Sequence, residues 1–130
     1  MRTLLVEFGW ALALTIAIEL AVVALLGVRT SREFAAVVLV NVITNPSLNC
    51  ALLLVHAGLV SALRPGLAGV AEWTFVIVAE VVVVLVEWKL LAWALRADSR
   101  TWLVRSATMN AASFVVGTWL LALVLPTLVR

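Results

Sequence analysis

Charged residues are scarce here, at 12% of 130 positions, while 65% are hydrophobic. Soluble domains carry about a quarter charged and near half apolar residues, so the chain has no room for a sizeable soluble domain. Cysteine occurs once, as Cys50, which excludes an internal disulfide and any C-x-x-C redox or metal motif. Histidine also occurs once, as His56, so an H-E-x-x-H metal site is excluded and no Ser–His or Cys–His arrangement supports nucleophilic catalysis. No Cys or carboxylate stands at ligand spacing from His56, which reads as an interface residue. The net charge is +2 and the pI near 9.5, yet no basic cluster interleaves with aromatics to stack on bases, and that excludes a nucleic-acid partner. No internal repeat is legible, and no low-complexity tract beyond the apolar runs.

What the chain does have is long apolar sequence. Four segments, approximately 4–27, 34–63, 69–95 and 101–125, each reach the roughly 20 residues that a spanning helix needs. The chain therefore reads as one transmembrane domain, 1–130, of the all-α class. It is expected to be a polytopic integral membrane protein, a four-transmembrane-helix antiparallel bundle, because short linkers make neighbouring helices antiparallel. Ser31 is placed to cap the second helix, Arg64-Pro65-Gly66 to break the chain between spans 2 and 3, and Pro126 to end span 4. The first run is too long for a signal-peptide core, holds Glu19 in its interior and lacks an A-x-A site, so it reads as a retained span.

Arg2, Arg64 and Arg130 fall on one side of the bundle; Arg29, Arg32, Arg96, Arg100 and Arg105 fall on the other. The richer side is expected in the cytoplasm, which puts both termini on the non-cytoplasmic face of a plasma (inner) membrane. Trp10, Trp73 and Trp102 lie near span ends, as aromatic belts do, while Trp88, Trp93 and Trp119 lie deeper. Ala13, Ala17 and Ala21 form a small-residue ridge that permits close helix contact.

Polar residues inside the spans are the informative feature. A charged side chain near the bilayer centre costs roughly 2.5–3.5 kcal/mol on insertion scales, so such residues face the bundle interior. Glu7, Thr15 and Glu19 share one face of span 1, and Asn41, Asn45 and Asn49 step by four along span 2 beside Thr44. Glu72, Glu80 and Glu87 follow one stripe of span 3; Ser106, Asn110, Ser113 and Gly117 follow one of span 4. Counted from span midpoints at about 1.5 Å per residue, Glu19, Asn45, Glu87 and Asn110 fall in one layer near the midplane, with Glu80 slightly to one side and Asn41 to the other. Glu19–Asn45 and Glu87–Asn110 are the hydrogen-bonded pairs this layer suggests. Pro46 has no N–H, so the carbonyl of Val42 loses its helical partner and span 2 is expected to kink there. A freed carbonyl beside Asn and Thr oxygens is a candidate cation or polar-ligand site. Glu7 and Glu72, near span ends, read as solvated, and Lys89 as snorkelling to the interface.

These residues select a function class without naming a substrate. The candidate polar or ion-binding set is Glu19, Asn41, Thr44, Asn45, Glu80, Glu87, Asn110 and Ser113, with Pro46 as the helix kink. The best reading is a small membrane protein that binds or translocates a small cation, proton or polar solute. Its partners would be the lipid bilayer and either further copies of the chain or another membrane protein. Two alternatives stand beside it: a non-transporting subunit or assembly factor of a larger membrane complex, and an intramembrane enzyme using Glu80 or Glu87. No catalytic residue, metal or cofactor is specified by the sequence. Small multidrug-resistance exporters also carry a Glu in span 1, but the carboxylates of span 3 and the Asn-rich span 2 set this chain apart from them.

Overall fold

Long runs of Leu, Val, Ala and Ile can satisfy their backbone N–H and C=O groups without help from neighbours only as helices. The computed structural model describes residues 2–128, with side chains described for 6, 8–59, 61–64 and 66–120. It is all-α: α1 (Arg2–Leu25), α2 (Ser31–Ala62), α3 (Pro65–Leu95) and α4 (Ser99–Leu128) follow one another, and no strand occurs among the described residues. The side chains of Arg2, Glu7 and Arg130, named above, lie outside the described set.

The helix ends have local causes. α1 closes on Gly27, whose φ of 89° is left-handed. Gly27 N–H donates to Ala24 O (3.2 Å) and Val28 N–H to Val23 O (3.0 Å), the paired bonds of a Schellman turn. α3 ends the same way on Arg96, at φ 50°, with Arg96 N–H donating to Trp93 O (3.3 Å) and Ala97 N–H to Ala92 O (3.2 Å). α2 starts on a capping box: Thr30 Oγ1 accepts from Glu33 N–H (3.2 Å) while Glu33 Oε2 accepts from Thr30 N–H (3.3 Å). The cap is thus Thr30 and not Ser31, because the Glu three residues on completes the box only for Thr30. Asp98 plays this part for α4, accepting from Thr101 N–H at 2.8 Å. The Thr101 hydroxyl, ahead of its N–H, holds the Asp98 carboxyl below the usual aspartate range. Pro65 sits in the first turn of α3, where its missing N–H costs nothing. Neither interior proline stops its helix: α2 runs unbroken through Pro46, and α4 continues past Pro126 to Leu128.

The helices pack as a square. α1 and α3 each lie against α2 and α4, and no contact crosses either diagonal. The apolar core, Val23, Val28, Val37, Val40, Leu91, Trp102 and Met109, fills the end of the bundle that carries residues 26–30 and 96–98. Trp102 is therefore a core residue at 1% exposure rather than a belt residue, and the Arg105 guanidinium lies 4.9 Å from its ring centre. Trp10, Trp73, Trp93 and Trp119 are exposed on the outside. Ala13, Ala17 and Ala21 are exposed too, so the small-residue ridge makes no helix contact within the chain. Toward the other end most described side chains are half-buried or exposed, and Ala68 is the one buried apolar residue among those described there. Among the described residues, two helices carry windows long and apolar enough to cross a membrane, Phe8–Leu25 and Ser31–Leu59.

Candidate functional site

Each helix has one polar stripe, and in a square bundle the stripes can meet only along the axis. Glu19, Asn41, Thr44, Glu87, Asn110 and Ser113 do so, all buried. Asn41 Nδ2 donates to Glu19 Oε2, and Ser113 Oγ lies 3.0 Å from Glu19 Oε1. Asn110 Nδ2 donates to Glu87 Oε2, and Thr44 Oγ1 lies 2.6 Å from Glu87 Oε1. Each carboxyl therefore has an amide on one oxygen and a hydroxyl on the other. The second N–H of each Asn goes to the carbonyl four residues back, at 3.2 Å to Val37 O and 3.0 Å to Ser106 O, which fixes the amide orientation. No buried side-chain N or O among the described residues lacks a partner.

This arrangement contains a repeat that apolar composition hides. Glu87 stands 68 positions after Glu19, Asn110 stands 69 after Asn41, and Ser113 stands 69 after Thr44. The hairpin α1–α2 and the hairpin α3–α4 thus supply the same set, a Glu on the first helix and Asn-x-x-Thr or Asn-x-x-Ser on the second. The Schellman turns at Gly27 and Arg96 and the caps Thr30 and Asp98 follow the same offset. Each Asn serves the Glu of its own hairpin, and each hydroxyl reaches across to the other. The correspondence is confined to the layer and the turns. Only a handful of positions are alike; elsewhere the two hairpins differ, as where Trp102 of the second stands in the place of Glu33 of the first.

Glu87–Asn110 is a pair that depth counting anticipates; Glu19–Asn45 does not form. Asn41 takes that place, because the short linker at residues 26–30 sets the register of α2 against α1, and span midpoints do not. Asn45 is half-buried and accepts from Asn49 Nδ2 at 3.0 Å. The Val42 carbonyl does not join the layer either, since Val42 lies on the exposed side of α2. Ser106, buried on the α4 stripe, donates to Val84 O at 3.0 Å and ties α4 to α3.

A cavity of about 60 Å³ opens beside the carboxyl layer on the side away from the apolar core. A water needs roughly 10–15 Å³ of such space and two to four polar partners, so several waters fit. Thr15, Asn45, Leu48, Glu80, Val83 and Phe114 line it beyond the layer itself. Glu80 is half-buried there and makes no hydrogen bond with a described residue. Sequence reasoning missed Thr15, Leu48, Val83 and Phe114 as lining residues; for Thr15 the signal existed, one turn before Glu19 on the same face.

Farther out, His56 and Glu72 meet at 2.8 Å between α2 and α3, both partly exposed. Linear spacing could not show this, since the two residues sit on different helices. Lys89 lies with its Nζ 4.0 Å from the Trp88 ring centre, on the exposed side of α3. Among the described residues no three His, Cys, Asp or Glu side chains gather as metal ligands. Comparison with protein-family models, with curated proteins and with solved structures finds no match.

Proposed function

We propose that this chain is a four-span membrane protein whose buried carboxyl layer and adjoining cavity bind, and pass across the bilayer, a small cation, proton or polar solute. The observation that carries the reading is the pair Glu19 and Glu87, both buried between the four helices, with Glu87 itself and the Asn41 and Ser113 partners of Glu19 lining a polar cavity. Buried carboxyl groups are expensive and mark ion or proton pathways where they occur in membranes. The bilayer setting is supported by the outer surface, where Leu25, Leu54 and Trp93 are 74–85% exposed while the polar stripes turn inward. Water would expose this surface at a cost of about 25 cal/mol per Å²; hydrocarbon would not.

The orientation puts the end of the bundle that carries Arg29, Arg32, Arg96, Arg100 and Arg105 in the cytoplasm. The cavity then faces the non-cytoplasmic side and the apolar core seals the other. One bundle encloses a small volume, and the Ala ridge of α1 lies exposed, so a complete pathway is proposed between copies in a homo-oligomer.

Purified protein in liposomes tests the reading. Passage of protons or monovalent cations should depend on Glu19 and Glu87. Exchanging either for Gln, which keeps size and hydrogen bonding, should abolish flux and leave the bundle folded. Full flux in both Gln variants would make the layer interhelical glue and favour the subunit reading, in which the chain alone moves nothing.

A further inference from the structure

Proton counting at the carboxyl layer narrows the species. Thr44 Oγ1 lies 2.6 Å from Glu87 Oε1 and 3.0 Å from Val40 O. Ser113 Oγ lies 3.0 Å from Glu19 Oε1 and 3.0 Å from Asn110 O. A hydroxyl owns one proton and two lone pairs, so it cannot donate to both neighbours at once. With the carboxyl ionised, the hydroxyl donates to it. With the carboxyl protonated, the new O–H donates to the hydroxyl oxygen, and the hydroxyl proton rotates to the backbone carbonyl. Asn41 and Asn110 donate to the other carboxyl oxygen in both states. Every group keeps a partner in either state, and no heavy atom has to move.

A metal ion does not fit the same geometry. Both oxygens of each Glu already face hydrogen donors, and the amide group turned toward each carboxyl is its NH₂, which does not ligate. A metal would have to evict those donors and turn both amides, breaking the bonds to Val37 O and Ser106 O.

We infer that, within the transport reading above on which this rests, the species bound at the layer is the proton, and that the chain holds two proton sites, one per hairpin. Glu87 lines the cavity and takes a proton on Oε1 from a hydronium there, leaving a water behind. Glu19 does not line it; the hydronium gives its proton to the Ser113 oxygen, which does, while the Ser113 hydroxyl proton passes to Glu19 Oε1. Each step takes the Glu side chain from −1 to neutral. Release reverses the step. Glu80 on α3 is the one further ionisable group lining the cavity; α1, α2 and α4 present Thr15, Asn45, Leu48 and Phe114 to it. The cross-hairpin hydroxyls couple the sites, since Ser113 belongs to the hairpin of Glu87 and Thr44 to the hairpin of Glu19.

Infrared difference spectroscopy of the intact chain in lipid, titrated over a wide pH range, reads this directly. Two of the carboxylic C=O bands that appear on acidification should come from the layer. Glu19→Gln should remove one, Glu87→Gln the other, the double variant both, and Glu80→Gln neither. Thr44→Val should shift the Glu87 band and Ser113→Ala the Glu19 band, effects that a packing role alone would not produce. Loss of both bands in either single variant would mean one shared proton and overturn the two-site inference. Carboxylic bands that neither Glu19→Gln nor Glu87→Gln alters would overturn the proton assignment. Flux separates these failures from that of the underlying reading: unchanged flux in the Gln variants defeats transport through the layer whatever the bands do, whereas lost flux without a titrating band from the layer defeats the proton alone.

Discussion

Set side by side, the two hairpins are alike where they are sealed and unlike where they are open. Glu19 and Glu87, Asn41 and Asn110, and Thr44 and Ser113 correspond, and so do the buried Val23 and Leu91 and the buried Val40 and Met109. Around the cavity the correspondence fails. Glu80 stands where the first hairpin has Leu12, Val83 where it has Thr15, and Phe114 where it has Asn45. A buried carboxyl tolerates few sets of partners, because an unsatisfied polar group costs about 1–3 kcal/mol, so the layer holds the same solution twice. The cavity walls border open space and escape that constraint. What is repeated therefore carries the layer's hydrogen bonding; what is not repeated shapes the cavity.

The largest expected effect tests the likeness. Asn41→Leu and Asn110→Leu should each strip one carboxyl oxygen of its amide and destabilise the chain by about 1–3 kcal/mol, and by similar amounts, as measured by unfolding in mixed micelles. Asn45→Leu, outside the layer, loses only the bond from Asn49 one turn along the same helix and should cost under about 0.5 kcal/mol. A cost for Asn45→Leu equal to that of Asn41→Leu would erase the distinction between layer and cavity wall.

A smaller effect tests the turns. Gly27 and Arg96 hold the same left-handed position, which costs a residue with a side chain roughly 1–2 kcal/mol. Arg96→Gly should therefore stabilise the chain by about 1 kcal/mol, less what glycine's extra freedom in the unfolded chain removes. Gly27→Ala should destabilise it by a similar amount. Opposite signs in thermal melts sharpen the equivalence of the hairpins; equal signs break it.

The smallest effect lies at the mouth. Glu72→Gln loosens a partly exposed pair with His56 and should change stability by under about 1 kcal/mol. A larger change would mean that this contact, absent from the linker end, holds α2 and α3 together.

Much of this was legible in the residues, and the misses share a cause. Gly27 announces its turn, since a left-handed residue is most cheaply glycine. Arg96 announces nothing, because its turn is imposed by the packing of α3 on α4. Trp102 was assigned to a span end from its position along the chain, yet it fills the core, because the linker end of the bundle is where the helices close most tightly. Asn45 and Asn41 lie on one helical face and cannot be separated by periodicity.

From sequence alone came the all-α class, the four long apolar helices and the polar stripe on each, because a period of 3.6 residues fixes which side chains share a face whatever the helix packs against. The tertiary structure alone decided which Asn meets which Glu, that each hydroxyl crosses to the other hairpin, and that a cavity opens on one side of the layer. Those outcomes depend on the depth of one helix relative to the next. That depth is set by capping geometry, linker length and close packing between helices, none of which a single helix's sequence records.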